Sequence, residues 1–123
     1  MRVLLVEDEP LIAMVAEEML LEVGHSVSLA RTGREAIDVF RQPPQPELIM
    51  VDNVLPDMLG WEVIRVCREV DPNVPALMTS GDPERGAQAI DHVAFLTKPY
   101  TEADLLAAIA DAIQPGKTNA PGL

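Results

Sequence analysis

The sequence predicts an α/β domain in which a parallel sheet carries helices on both faces, and three observations carry that expectation. Short apolar runs alternate with amphipathic segments five times along the chain, the pattern of successive strand–helix units whose strands are buried on both sides. Four of these runs deliver a charged or hydroxyl residue at their ends: Glu7-Asp8 after Val6, Asp52 after Val51, Ser80 after Thr79 and Lys98 after Thr97. In open α/β sheets the ligand crevice lies beyond the carboxyl ends of the strands, so these residues stand where chemistry is done. The length, 123 residues, suits one domain with a buried core and is too short for two.

In order, Arg2 to Val6 reads as a first strand. From Leu11 the spacing turns helical, with Leu11, Val15 and Met19 on one stripe and Glu17, Glu18 and Glu22 on the other faces. Pro10 suits the first turn and Gly24 stops the helix. Ser26 to Ala30 alternates Val27 and Leu29 with serine, a strand at or near an edge. Thr32 begins a second helix as a capping box with Glu35, and Ala36, Ile37 and Phe40 face inward. The prolines of Gln42-Pro43-Pro44-Gln45-Pro46 exclude regular structure there, and a buried strand, Leu48 to Val51, then leads into Asp52. After Gly60, Val63, Ile64, Val66, Cys67 and Val70 mark a third helix ended by Asp71-Pro72. Val74 to Thr79 reads as a fourth strand, Glu84 to Asp91 as a short, weak fourth helix, and Val93 to Thr97 as a fifth strand. Thr101 caps the final helix with Asp104 as partner, and Leu105, Ile109 and Ile113 form its inner face. The domain is expected over residues 1–114, with 115–123 a flexible tail.

Composition narrows the function. Nine Lys plus Arg against twenty Asp plus Glu give a net charge of −11, and aromatics are 3%. Such a surface repels phosphate backbones and offers no platform for stacked bases, so direct nucleic-acid binding is not expected. The one cysteine, Cys67, forms neither an internal disulfide nor a cysteine metal site, and its apolar setting predicts a buried thiol. That cysteine usage fits a reducing cytosol. The N-terminal apolar run breaks at Glu7, too early for a signal peptide or a membrane span, so a cytoplasmic protein is expected.

The strand-end residues define a chemistry. Carboxylates gathered without His or Cys suit a hard, oxygen-preferring cation such as Mg²⁺. With a cation and a lysine offsetting their charge, one carboxylate can act as a nucleophile towards phosphorus, and a hydroxyl and an ammonium can bind the added phosphoryl oxygens. Asp52 alone could equally be a turn residue; the other strand ends favour the chemical reading.

Taken together, Glu7-Asp8, the block Asp52-x-x-x-Pro56-x-x-x-Gly60, Ser80-Gly81 and Lys98-Pro99 resemble the receiver domains of two-component response regulators, from residue 2 to about residue 113. The resemblance implies a flavodoxin-like sheet of strand order 2-1-3-4-5, with Asp52 phosphorylated by a histidine kinase or a phosphotransfer protein. It implies Mg²⁺ held by Asp8, Asp52 and the main-chain carbonyl of Val54, with Glu7 bonding through water. Ser80 stands at the switch hydroxyl, Lys98 at the phosphate lysine and Phe95 at the switch aromatic, while Val54 and Asp82 stand at the positions that set phosphoryl lifetime. The Lys98–Pro99 peptide is expected to be cis. Partners are expected to dock on the face of the predicted fourth helix, fifth strand and final helix, with residues 82–92 responding to phosphorylation in a stand-alone monomer. Leu59 departs from the family by standing where many receivers carry an acid. A phosphohydrolase with an aspartyl nucleophile and a receiver that binds partners without phosphorylation stay open as alternatives; the first normally wants an acid at position 54, which is Val, and the second would be missing one of the acid, hydroxyl and lysine groups, all of which are present.

Overall fold

A computed structural model describes residues 1–81 and 92–114. Five parallel strands, β1 (Arg2–Val6), β2 (Ser26–Ala30), β3 (Leu48–Asp52), β4 (Ala76–Ser80) and β5 (Val93–Thr97), form one sheet in the order β2-β1-β3-β4-β5. Among the described residues the helices are α1 (Pro10–Glu22), α2 (Gly33–Phe40), α3 (Gly60–Val70) and α4 (Glu102–Ile113). The short helix expected over Glu84–Asp91 and the tail at 115–123 lie outside the described residues.

Side chains alternate between the faces of a strand, and the inner strands here are apolar on both. Leu4, Val6, Ile49, Val51 and Met78 point to one side, where Ile37 and Phe40 of α2 and Val63, Ile64 and Cys67 of α3 cover them. Val3, Leu5, Leu48, Met50 and Leu77 point to the other, against Ala16 and Leu20 of α1 and Leu105 and Ile109 of α4. β2 is an edge strand, as its serines suggested, and Cys67 is buried. Register aligns the strand ends: Val6 pairs with Val51, Asp52 with Thr79, and Ser80 with Thr97. Glu7, Asp52, Ser80 and Lys98 therefore emerge along one edge of the sheet.

The cap expectations hold with one change. Thr32 Oγ1 accepts from Glu35 N at 3.0 Å, but Glu35 reaches back to Arg31 N (3.3 Å) rather than to Thr32. At α4 the box closes both ways, Thr101 Oγ1 accepting from Asp104 N at 3.1 Å and Asp104 Oδ2 from Thr101 N at 3.0 Å. Helix α1 begins at Pro10, as expected of a proline in the first turn, and Glu9 caps it, accepting from Leu11 N. It ends at Glu22, and Gly24, two residues on, turns the chain away with a φ of 92°, a backbone conformation that glycine adopts without strain.

Several inward faces differ from expectation. The stripe of α1 that meets the sheet is Ala13, Ala16 and Leu20, whereas Leu11 and Val15 are 67% and 46% exposed. This helix is apolar nearly all round, so spacing alone offers two stripes; the small one lets the backbone approach β1 and β2 closely. Leu11, Val15 and Met19 instead wall a groove of about 470 Å³ with Lys98, Pro99 and Tyr100. Val70 and Ile113, at the last residues of α3 and α4, are also exposed. Strand β4 starts at Ala76 rather than Val74, after Pro75, whose carbonyl accepts from Ile49 N at 3.0 Å.

Two glycines admit close packing. A Cβ on Gly60 would strike the Asp52 carbonyl oxygen and lie 3.2 Å from Asn53 Cα, whereas one on Gly33 would strike the Met58 side chain. Backbone cannot yield as a thioether can. Gly60→Ala is expected to lower unfolding free energy by about 3 kcal/mol and Gly33→Ala by about 1 kcal/mol, as measured by urea denaturation.

Candidate functional site

Each functional side chain is set by a strand end. β1 delivers Glu7, buried, and Asp8, exposed; β3 delivers Asp52, half-buried. Carboxylate oxygens of these three lie within 4.8 Å of one another. From β5, across the intervening β4, Lys98 Nζ reaches in to Glu7 Oε1 at 2.8 Å and Asp52 Oδ1 at 3.3 Å. The Lys98 main chain is fixed by its N–H donating to Ser80 O at 2.8 Å, and the Lys98–Pro99 peptide is cis. Ser80 is buried at the end of β4, and Phe95, between buried Ala94 and Leu96, is 47% exposed on the edge strand. The Val54 side chain is exposed just beyond Asp52. Asp82 lies outside the described residues.

The electrostatics follow from this placement. Burial raises the Glu7 and Asp52 carboxyls above their ordinary values, and for each a neighbouring carboxylate, Asp52 and Asp8 respectively, adds to the rise while Lys98 opposes it. Burial works to lower Lys98, but its hydrogen bond to Glu7 and the charge of Asp52 outweigh that and raise it. Tyr100 is pushed up to about 12 by burial, with the Glu7 and Asp52 charges adding to the effect. One ammonium therefore offsets two desolvated acids, with Asp8 as the third. An all-oxygen donor set carrying surplus negative charge fits a hard divalent cation.

Sequence reasoning missed the groups that support this pocket. The loop from Asn53 to Leu59 closes on itself through Gly60 N to Asn53 O (2.7 Å), Leu55 N to Met58 O (3.1 Å) and an antiparallel bridge between Val54 and Leu59. The Leu59 side chain, at the N-cap of α3, has no acceptor to offer, and a side chain reaches this cap from the other direction, Leu59 N donating to Glu62 Oε1 at 3.0 Å. Asp57 accepts from Gly33 N and Arg34 N at 2.8 and 2.9 Å. Nothing in the order of residues revealed that Asp57 would find its partner on α2.

A doubly wound parallel sheet of this order with a carboxylate–lysine pocket at its carboxyl edge defines the flavodoxin-like class of receivers. Comparison with known proteins agrees. Residues 3–110 match the family model of the response regulator receiver domain. The chain is 32% identical to the cell cycle transcriptional regulator CtrA of Caulobacter vibrioides, over 98% of this chain and 53% of that protein. It is 34% identical to the cell cycle response regulator CtrA of Brucella ovis over the same shares. It thus spans about half the length of the curated relatives it matches. A crystal structure of a response regulator receiver protein from Sinorhizobium medicae superposes with a TM-score of 0.82 at 28% identity, covering 90% of this chain and 92% of that one. The chain belongs to the response regulator receiver domain family of two-component signalling. It is a signalling module rather than a classical enzyme, and its acidic cluster fits the family's phosphorylation site. Among the described residues, no helix is long and apolar enough to cross a membrane.

Two titration outcomes test the pocket. Replacing the ammonium by Lys98→Met should raise the Glu7 and Asp52 carboxyl titrations further, by about one pH unit, followed by carbon NMR of the carboxyl groups. In the wild type, the stability that Lys98 contributes is full below its ordinary value of 10.5 and is lost as pH rises through the higher folded value. The raised acids act in the opposite sense to a salt-bridged carboxylate: they favour the folded state more as pH falls through their folded values. Chemical denaturation across pH should show the alkaline loss diminished in Lys98→Met.

Proposed function

We propose that this domain accepts a phosphoryl group from a phosphohistidine, on a histidine kinase or a phosphotransfer protein, onto Asp52 with Mg²⁺, and signals through protein contacts. The observation that carries the reading is the bridging of Glu7 and Asp52 by Lys98 beside an exposed Asp8. Asp8, Asp52 and the Val54 carbonyl would hold the cation, with Glu7 bonding through water. When bound, the cation neutralises charge on the acids and on the entering phosphoryl oxygens.

In this reading an Asp52 carboxylate oxygen forms the new bond to phosphorus as the P–N bond to the donor imidazole breaks, and the leaving nitrogen takes up a proton. Lys98 moves from pairing carboxylates to binding a phosphoryl oxygen, and the Ser80 hydroxyl supplies a hydrogen bond to another. The groove of Leu11, Val15 and Met19, with Lys98 in its wall, offers the donor an apolar seat beside the acceptor. Phe95, outward on edge strand β5, would turn inward once Ser80 engages the phosphoryl group, changing the face made by β5 and α4, and residues 82–92 would respond to phosphorylation. Val54 offers no group to orient a hydrolytic water, so dephosphorylation is slow or intermediate; Asp82 is the second lifetime position. The domain spans residues 1–114, and it works in the cytoplasm as a monomer.

Incubation with acetyl phosphate and Mg²⁺ should add one phosphoryl group by mass spectrometry, and none in Asp52→Asn. Asp8→Ala should lose cation binding and, with it, labelling. Equal labelling of Asp52→Asn contradicts the assignment. Val54→Asn should hydrolyse the phosphorylated form about tenfold faster, below the roughly 10²–10⁴-fold of a general acid or base because an amide orients water without taking its proton, as followed by loss of label over time; an unchanged or slower decay removes the role of position 54.

A further inference from the structure

The loop that carries residue 54 is anchored at two places. Its inner end is fixed by the sheet, through Asn53 N donating to Thr79 O at 2.8 Å, and by Gly60 packing against the Asp52 carbonyl. Its outer turn, Pro56 and Asp57, is exposed. That turn is held by Asp57, whose Oδ1 and Oδ2 accept from the main-chain N–H groups of Gly33 and Arg34.

Those amides are the first two of α2, donors that no carbonyl within the helix can reach. Thr32 satisfies the third, on Glu35, so the first turn of α2 is completed by one cap of its own and one carboxylate from another element. The positive end of the helix favours a carboxylate there. Burial pushes the Asp57 carboxyl up, but the N–H groups of Gly33, Arg34, Asp57 and Met58 overcome this and hold it below the usual carboxylate range. Met58 completes the junction, packing where Gly33 has no side chain. Because α2 is itself seated on the sheet through Ala36, Ile37 and Phe40, the clamp connects the loop to the core from the outside.

We infer that Asp57 is a positioning residue for the cation site: by fastening the loop after β3 to the first turn of α2, it fixes the Val54 carbonyl as a ligand. This rests on the reading of Asp8, Asp52 and Val54 given above. Asp57 does not touch the cation. Its effect passes through the turn closed by Leu55 N donating to Met58 O and by the bridge between Val54 and Leu59.

The test is a Mg²⁺ titration of the full chain followed by backbone amide shifts at residues 8, 52 and 54. Asp57→Ala is expected to weaken Mg²⁺ binding about tenfold, the low end for a group that orients a metal ligand. Asp57→Asn, which keeps one acceptor oxygen, should fall between wild type and Asp57→Ala and serves if the alanine variant does not fold. Thr32→Ala removes a cap from the same helix without touching the loop; it should lower the melting temperature by a similar amount yet leave Mg²⁺ affinity within about twofold. If Asp57→Ala binds Mg²⁺ as the wild type does, or Thr32→Ala weakens binding as much as Asp57→Ala, the positioning role is overturned while the site stands. If wild-type shifts at residues 8 and 52 do not saturate with Mg²⁺, the reading of the site itself falls, and this inference with it.

Discussion

The structure turns on three carboxylates brought to one sheet edge, two of which, Glu7 and Asp52, are partly withdrawn from water. Desolvation and a neighbouring carboxylate both oppose the ionisation of Glu7 and Asp52, and Lys98 is the group within the pocket that offsets them. An ion pair of this kind is weak evidence for stability, since removing charges from water costs about as much as their attraction returns. Its value lies in what it stores. An acid pair held by one ammonium remains short of positive charge, which is the condition that favours a divalent cation and then an electrophilic phosphoryl group. The rest of the fold serves to keep these groups from relaxing apart: Glu7 is buried, Lys98 N is bound to Ser80 O, and Asp52 sits between a strand end and a glycine that admits no side chain.

The parallel sheet explains how residues so distant in sequence meet. Every strand runs in the same direction, so every strand end with a polar residue adds to the same crevice. Placing β1 and β3 at the centre puts Glu7, Asp8 and Asp52 on neighbouring strands, while the Lys98 side chain reaches back across β4. The apolar groove of α1 lies against the same lysine. Acceptor chemistry and a surface for a donor thus share one boundary, and pairing, packing and charge converge on Lys98.

Much of this was legible in the residue order because it depends on local pattern. Apolar runs ending in acids located β1 and β3, and Thr32 and Thr101 located helix starts, since a cap is an interaction between residues three apart. The resemblance then supplied the strand order, which no periodicity contains. What was not legible depends on tertiary choice. Helix α1 carries two apolar stripes, and only the distance at which it packs decides that Ala13, Ala16 and Leu20 face the sheet. Glu35 selects Arg31 over Thr32 by side-chain geometry. Asp57 finds its partners 23 and 24 residues away, at a helix end that has to be in place before the contact exists. Local rules set the strand-end acids; packing set what supports them.

The central claim is that the pocket of Glu7, Asp8, Asp52 and Lys98 is built to accept one phosphoryl group on Asp52 with a cation beside it. A crystal structure of the protein with Mg²⁺ and beryllofluoride, a mimic of a bound phosphoryl group, tests this most directly. The account predicts the beryllium on an Asp52 oxygen, the cation in contact with Asp8, Asp52 and the Val54 carbonyl, and Lys98 Nζ moved from the carboxylates onto a fluoride. Beryllofluoride on any other side chain, or an unmodified Asp52 with Lys98 still paired to Glu7 at saturating ligand, contradicts it.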